Sequence, residues 1–466
     1  MQYDFGMIGL GTMGRNFLLN VADNGFSAVG LDKDDEKARL LEEESGDRQI
    51  KGATETKEFV NSLSKPRKIM MLVPAGKVVD IVIEDLLPHL EEGDLVIDGG
   101  NSYYEDTNRR EKYLKIKGIH FLGVGVSGGA KGARLGPSIM PGGEEKAYEL
   151  VRPILEAVSA KVNGEPCVAY LGKHSSGQYV KMVHNGIEYG LMQLLSESYD
   201  LLKRVGGLDN DELHKVYQRW NEGKLRSFLV EITAAIFAQP DDLIDGDIID
   251  SILDKAKQKG TGKWTSQNAM DLGIPVPTID AAVSMRGLSS LKVERVAAED
   301  FFGIDVPTVA VDKTAFISQV EEALYFAFII TYAQGMSLLA AASEEYEYAL
   351  DMEEIAKIWR GGCIIRADLL EEMRKAYAAD PKLKNLLVAD AFKATLSDGH
   401  AHLRAVLTTG IKSGIPLLTF SSALAYFDAY RTARLPLNLV QAQRDYFGSH
   451  TFERTDREGI FHVEWK

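Results

Sequence analysis

Ten residues carry the most unusual chemistry in this 466-residue chain: Lys181-Met182-Val183-His184-Asn185-Gly186-Ile187-Glu188-Tyr189-Gly190. The stretch reads as one helix. Lys181, His184, Asn185 and Glu188 fall at i, i+3, i+4 and i+7, so they share a face. A helix face ordinarily carries apolar residues for the core or solvated charges. This one carries an amine, an imidazole, an amide and a carboxylate. A lysine taken out of water and set beside other cations can act as a base near neutral pH. Gly186 and Gly190 each cost roughly 1 kcal/mol against Ala inside a helix, which points to close backbone approach there. The plain alternative is a surface helix with a charge pair. The rest of the chain has to decide.

The elements upstream supply a partner for that chemistry. Tyr3 to Ile8 reads as a strand and Asn16 to Ala22 as a helix, with Gly9-Leu10-Gly11-Thr12-Met13-Gly14 between them. G-x-G-x-x-G between a strand and a helix gives a tight turn, close approach of a pyrophosphate and unpaired N–H groups for its oxygens. The second strand, Ser27 to Leu31, ends in Asp32. An acidic residue there suits the ribose 2′-OH of NAD and repels the 2′-phosphate of NADP. Asp34 adds a second repelling charge, and Lys33 lies between the two carboxylates. The expected cofactor is NAD, with NADP as the other candidate.

Further strand–loop units follow. Lys68 to Val73 ends in Pro74-Ala75-Gly76-Lys77, and Asp94 to Asp98 ends in Gly99-Gly100-Asn101-Ser102. Ile119 to Val124 leads into a loop, Gly125-Val126-Ser127-Gly128-Gly129. Such loops lie where parallel sheets bind ligands, which adds Val73, Pro74, Ala75 and Asn101 to the cofactor set. Ser127, Gly128 and Gly129 offer a hydroxyl and bare N–H groups to a carboxylate. Residues from Arg134 to Gly143 read as an irregular run, Ala147 to Ala160 as a helix, and Val168 to Leu171 as a last strand before the domain ends near Gly172.

From Ser175 onward helical patterns dominate. Trp220-Asn221-Glu222-Gly223-Lys224-Leu225-Arg226 is echoed by Trp359-Arg360-Gly361-Gly362-Cys363-Ile364-Ile365-Arg366, and the Lys181 helix by a long helix from Phe316 to Ala342. This reads as a duplicated helical unit whose second copy lacks the polar face. Gln258-Lys259-Gly260-Thr261-Gly262-Lys263-Trp264-Thr265 makes a plausible phosphate cradle, though not a Walker sequence. Arg286, taken alone, reads as a solvated surface residue. The tail after Pro436 is rich in aromatics and should dock, on its own body or on another subunit. The domain limits are 1–174, 175–434 and 435–466.

A net charge of −15 argues against nucleic-acid and membrane-surface partners. Two cysteines imply no disulfide framework and fit a reducing, cytoplasmic setting. Apolar runs such as Ala323 to Ile330 read as too short to span a bilayer. No His/Asp/Glu cluster has metal-ligand spacing.

Taken in order, these segments closely resemble the 6-phosphogluconate dehydrogenase family. The marks are the glycine turn, Asp98-Gly99-Gly100-Asn101-Ser102, Gly125-Val126-Ser127-Gly128-Gly129, Met140-Pro141-Gly142-Gly143, the Lys181 helix, Lys259-Gly260-Thr261-Gly262-Lys263-Trp264-Thr265, the Trp359 motif and Arg444-Asp445-Tyr446-Phe447-Gly448-Ser449-His450-Thr451. The resemblance implies an α/β Rossmann-type dinucleotide-binding domain, then a large all-α domain with an internal duplication, then a C-terminal tail. It implies oxidative decarboxylation of 6-phosphogluconate to ribulose 5-phosphate and CO2, in the pentose phosphate pathway. It implies a homodimer whose tails reach into the partner subunit. In that scheme Lys181 is the base for the 3-hydroxyl and Glu188 the acid that protonates the enol left after CO2 departs, at what becomes C1 of the product. Asn101, Ser127, Gly128, Gly129, His184 and Asn185 orient the sugar acid. Tyr189, Lys259, Thr261 and Arg286 hold the phosphate, joined by Arg444 and His450 across the dimer. Met13 lies against the nicotinamide.

One departure bears on the cofactor. Many members have Asn-Arg-Thr after the second strand, the Arg receiving the 2′-phosphate, where this chain has Asp32-Lys33-Asp34. A second, Ala130-Lys131 in place of acidic residues, carries no conclusion. Two rivals remain at this stage. A 3-hydroxyacid dehydrogenase would share the glycine turn and a Lys base but needs no phosphate set. A non-catalytic dinucleotide-binding regulator would not need Lys181 and Glu188 on one face.

Overall fold

The computed structural model describes residues 2–306 and 309–465. Seven strands form its main sheet: β1 Phe5–Ile8, β2 Ala28–Leu31, β3 Ile50–Ala53, β4 Lys68–Met71, β5 Leu95–Asp98, β6 His120–Ser127 and β7 Ser138–Gly143. They lie in the order β3-β2-β1-β4-β5-β6-β7. The first six are parallel, and β7 runs antiparallel to β6. Strands covered on both faces read as continuous apolar runs, as in Phe5-Gly6-Met7-Ile8, all four buried. Strand order reverses between β1 and β4, so the turns after these two strands border the crevice where such sheets bind ligands.

Three local readings are corrected. Residues 138–143 are a fully buried strand and not an irregular run. Pro141 and two glycines depress strand propensity, and Pro141 is tolerated because β7 is the edge of the sheet. Gly125, Val126 and Ser127 belong to β6, so the turn begins only at Gly128. Val168 to Leu171 is not a strand, since it touches β7 by a single bridge, Ile139 to Val168.

Beyond residue 175 the chain is helical. The Lys181 helix spans Ser176–Arg204 and packs on a second long helix, Lys313–Glu345. The latter is, by length and composition, apolar enough to cross a membrane, contrary to the reading from short runs, but 83% of its most apolar window is buried inside the fold. It is the axis of the helical core. The two echoed segments meet each other. Phe228 N–H donates to Arg366 O and Asp368 N–H to Arg226 O, both at 3.0 Å, around an antiparallel bridge between Ser227 and Ala367. Trp220 and Trp359 are both fully buried.

The Lys181 helix lies directly on the backbone of β6 and β7. A Cβ on Gly177 would overlap the carbonyl oxygens of Met140 and Gly123, and one on Gly142 would overlap Gly177 itself. A Cβ on Gly125 would overlap the Cβ of Lys181. The other two glycines of the polar stretch also have reasons. At Gly186 a Cβ would stand 2.6 Å from Thr265 Cγ2, and at Gly190 2.6 Å from Thr331 Cγ2. Thr265 Oγ1 then donates to Met182 O at 2.9 Å. One helix is thereby clamped against the sheet, the Thr261–Asp271 helix and the Lys313–Glu345 helix.

Gly125→Ala should therefore destabilise by roughly 1–3 kcal/mol through overpacking, read as a lowered melting temperature. Gly287→Ala, at a helical position with open space, should be neutral or stabilising. Equal melting temperatures for the two variants would contradict the glycine seam.

Candidate active site

The polar face of the Lys181 helix is buried. Lys181 is 5% exposed and His184 not at all. Lys181 Nζ lies 3.3 Å from His184 Nδ1, which is also 3.2 Å from Asn185 Oδ1. His184 Nε2 faces Ser127 Oγ at 3.3 Å. Asn185 Nδ2 donates to Thr261 Oγ1 at 3.2 Å, and Glu188 stands 3.8 Å from the imidazole. The plain alternative of a solvated surface helix is excluded.

Burial dominates the acid–base behaviour here. It depresses the Lys181 ammonium against the opposing pull of Glu188. Burial and the neighbouring Lys181 hold His184 well below the usual histidine range. Burial raises Glu188 against the counter-effects of Lys181 and Arg286. An amine shifted down and a carboxyl shifted up thus sit two turns apart, with a neutral imidazole between them.

A second group adjoins the first. The Arg286 guanidinium lies 3.4 Å from the centre of the Tyr189 ring and donates to Lys257 O at 3.0 Å. It is half-buried, not the solvated residue its isolated reading suggested. The Tyr189 ring presses on Gly262, where a Cβ would be 2.5 Å away. Lys259 is exposed just before the Thr261 helix. Among the described residues no hydrogen bond or ion pair joins Arg444 or His450 to this group. Arg444 donates instead to Gln441 Oε1 at 3.1 Å, within the tail.

Ser127 ends β6, and Gly128 and Gly129 follow at φ +123° and +63°, where a side chain would be strained. Asn101 is exposed on the loop after β5. That loop is set by groups the sequence reading assigned no role. Asp98 accepts from Ser102 Oγ at 2.7 Å and Gly100 N–H at 3.1 Å, while Arg110 reaches Asp98 and donates to Gly76 O. Gln178 Nε2, one turn before Lys181, donates to Asp98 O at 2.8 Å. The Trp359 motif also acquires a place. Its indole meets His184 edge-on at 5.5 Å, and Gly362 O accepts from Ser138 N–H at 3.0 Å. Only the repeated motif itself signalled it.

The glycine turn opens onto a cleft of about 390 Å³ lined by Gly9, Gly11, Asp32, Thr56, Val73 and Pro74. Gly9 has φ +91°, and a Cβ on Gly14 would overlap Gly9 O. Gly11 caps the Thr12–Asp23 helix and has open space at its Cβ position, so a pyrophosphate can approach. Thr12 is exposed and Met13 half-buried, as is Val73, while Pro74 and Ala75 are exposed. Leu10 differs, since its side chain is in the core and its N–H is donated to Asp32 Oδ2 at 2.9 Å. Asp32 Oδ1 accepts from Asp34 N–H, Lys37 lies 3.6 Å from Asp32, and Lys33 pairs with Asp85 at 3.0 Å. Each lysine near the expected ribose is matched by a carboxylate. These residues fit a dinucleotide. Among the described residues, no group of three or more His, Cys, Asp and Glu could hold a metal.

Comparison with known proteins agrees along the whole chain. Residues 4–172 match the NAD binding domain of 6-phosphogluconate dehydrogenase, and residues 177–465 its C-terminal domain. The chain is 53% identical over 465 residues to the NADP(+)-dependent, decarboxylating 6-phosphogluconate dehydrogenase of Bacillus subtilis (strain 168), covering 100% of this chain and 99% of that one. It is 49% identical over 466 residues to the decarboxylating enzyme of Escherichia coli (strain K12), with the same coverage. The solved Plasmodium falciparum 6-phosphogluconate dehydrogenase, described in its apo form and in complex with its cofactor NADP+ and its substrate 6-phosphogluconate, superposes with a TM-score of 0.96. Its identity is 46%, covering 99% of this chain and 100% of that one.

Burying Lys181 has a cost in stability. With its folded pKa below the ordinary 10.5, the unfolded chain holds the proton more tightly between the two values, so this group's contribution to stability rises with pH through that window. Lys181→Met should therefore stabilise at pH 7 by roughly 1–2 kcal/mol, and the gain should shrink toward pH 10. Denaturant unfolding at both pH values checks this; a pH-independent difference would contradict it.

Proposed function

The chain belongs to the 6-phosphogluconate dehydrogenase family, and from that premise we propose that it converts 6-phosphogluconate to ribulose 5-phosphate and CO2. The observation that carries this reading is the buried face on which a desolvated Lys181 and a protonatable Glu188 flank a neutral His184. Lys181 takes the proton from the 3-hydroxyl. A bound dinucleotide supplies the hydride acceptor for C3. The product is a ketone beta to a carboxylate, its own electron sink, so CO2 leaves without a metal, and the protonated Lys181 stabilises the developing enolate. Glu188 then delivers a proton to the enediol carbon that carried the carboxylate, C2 of the substrate and C1 of the product. Ser127, Gly128, Gly129, Asn101, His184 and Asn185 orient the sugar acid, and Tyr189, Lys259, Thr261 and Arg286 hold its phosphate.

The cofactor proposal is NAD in preference to NADP. It rests on Asp32, Asp34 and Asp85 around the expected ribose, with Lys33 and Lys37 already paired to carboxylates. The relatives give it no support, since the Bacillus subtilis enzyme is named NADP(+)-dependent and the Plasmodium falciparum structure holds NADP+.

The working assembly we propose is a homodimer. Of the described residues from 431 onward, only Asp445 is buried. Leu437, Leu439 and Phe447 are 54%, 61% and 74% exposed, and the Lys292–Phe302 helix has no buried residue. Apolar area of this extent needs a cover. The tail, residues 435–466, would supply it by docking on the partner's helical domain, 175–434, beside the dinucleotide domain, 1–174. Arg444 and His450 of the partner subunit then join the phosphate group. Two buried free thiols suit a reducing compartment, and the cytoplasm is the proposed setting.

Steady-state kinetics test the reading. NADH formation should be seen with 6-phosphogluconate and be much weaker with gluconate, and kcat/KM should favour NAD over NADP by about tenfold or more, as a desolvated carboxylate–phosphate clash implies. Equal turnover of both sugar acids would sink the substrate assignment. Equal or better efficiency with NADP would sink the cofactor assignment alone.

A further inference from the structure

The tail is wound on a single carboxylate. Asp445 is fully buried in a segment that is otherwise exposed or half-exposed. It accepts from Thr451 N–H at 2.9 Å, Val463 N–H at 3.3 Å and Trp465 Nε1–H at 2.9 Å, and faces His462 Nδ1 at 2.8 Å. These partners come from the turn after the Leu437–Gly448 helix and from the far end of the chain, beyond the paired strands Phe452–Glu453 and Ile460–Phe461. A segment this small has no core to hold it. Hydrogen bonds to an ionised acceptor are the strong kind, and here they replace a core. Burial opposes the charge, yet the donors hold the carboxyl down to about 2, so it stays ionised at every working pH.

The same knot fixes the two tail residues that the dimer reading sends to the phosphate. His450 lies between Ser449 and Thr451, which both adopt left-handed backbone at φ +48° and +62°. That conformation is uphill for residues with side chains and persists only where neighbours enforce it. Asp445 enforces it twice, through its side chain on Thr451 N–H and through its own carbonyl on Ser449 N–H at 2.9 Å. Gln441 closes the circuit. Its Nε2 donates to Thr451 O at 2.6 Å, and its Oε1 accepts from Arg444 at 3.1 Å. Arg444 and His450 are thus set relative to each other before any partner arrives.

We propose that Asp445 is a positioning residue that presents Arg444 and His450, as a preset pair, to the substrate phosphate held by a second copy of this chain. The inference rests on the dimer reading above and adds to it. The tail is a pre-folded clamp, and its ordering cost is met before binding. Asp445 touches no substrate, and its charge is enclosed by its own donors, so it does not repel the phosphate.

The test uses the full-length dimer. Asp445→Asn places an amide N–H₂ against donors and should loosen the pair. KM for 6-phosphogluconate should rise about tenfold, equivalent to one charge-assisted hydrogen bond. The competitive inhibition constant of inorganic phosphate should rise in parallel, while kcat and its pH profile stay as in the wild type. Trp465→Phe and His462→Gln, each removing one partner, should shift KM the same way by less, and they decide the matter if Asp445→Asn does not fold. A wild-type KM in the folded variants, or a loss confined to kcat, would overturn the proposal. Two controls separate it from its premises. Wild-type turnover tests the function itself. Arg444→Ala with an unchanged KM would remove the tail from the phosphate site, whereas a raised KM there beside an unchanged KM in the Asp445 series would overturn the role of Asp445 alone.

Discussion

The structure depends on one close approach: the N-terminal half of the Ser176–Arg204 helix resting on the backbone of β6 and β7. Gly123, Gly125, Gly142 and Gly177 make that approach possible, since a methyl at any of them would occupy a neighbour's position. The result is an amine almost wholly withdrawn from solvent. Its depressed basicity follows from that placement, because an ion in a dry site is penalised relative to its neutral form. The carboxyl two turns away, its side chain 20% exposed, is partly withdrawn from water with the opposite consequence. One helix thereby shifts an amine and a carboxyl in opposite directions, toward the base and acid roles proposed for them. His184 completes the arrangement by staying neutral, which keeps a second cation out of the pocket.

The remaining elements place reactants against that helix. The crevice between β1 and β4 belongs to the dinucleotide domain, and Gln178 ties the Lys181 helix to the loop after β5 that carries Asn101. The two long helices divide the labour. The Ser176–Arg204 helix carries the polar face. The Lys313–Glu345 helix is the buried axis, and the Trp359 motif braces His184 and the start of β7. Among the described residues, Arg444 and His450 find neighbours only within the tail itself, Gln441 and Phe447.

Much of this was legible in local pattern. The glycine turn announced itself because its spacing and its flanking strand and helix are contiguous in sequence. The polar face did so because helical periodicity is local. The tail's aromatics suggested docking, and in the single chain they stay largely exposed. What was hidden depends on contacts distant in sequence. Gly186 had no reason until Thr265 appeared across from it. The strand β7 was masked by Pro141 and two glycines, and only its place at the sheet edge makes it permissible. Val168 to Leu171 has strand composition but lacks a ladder to join. The long helix from Phe316 to Ala342 was legible, but its apolar character was underestimated because an unbroken run was counted in place of the helix's average. Asp445 looked like one charge among many, since its partners lie up to twenty residues away.

The central claim is that Lys181, made a base by burial, removes the proton that starts the reaction. Single-turnover hydride transfer from 6-phosphogluconate, followed across pH in the wild type and in Lys181→Met, tests it most directly. The wild type should show an acid limb governed by a group below the ordinary lysine range, and the variant should lose both the limb and about three or more orders of magnitude in rate, the scale of a lost general base. An unchanged acid limb in Lys181→Met would assign the base to another residue and contradict the account.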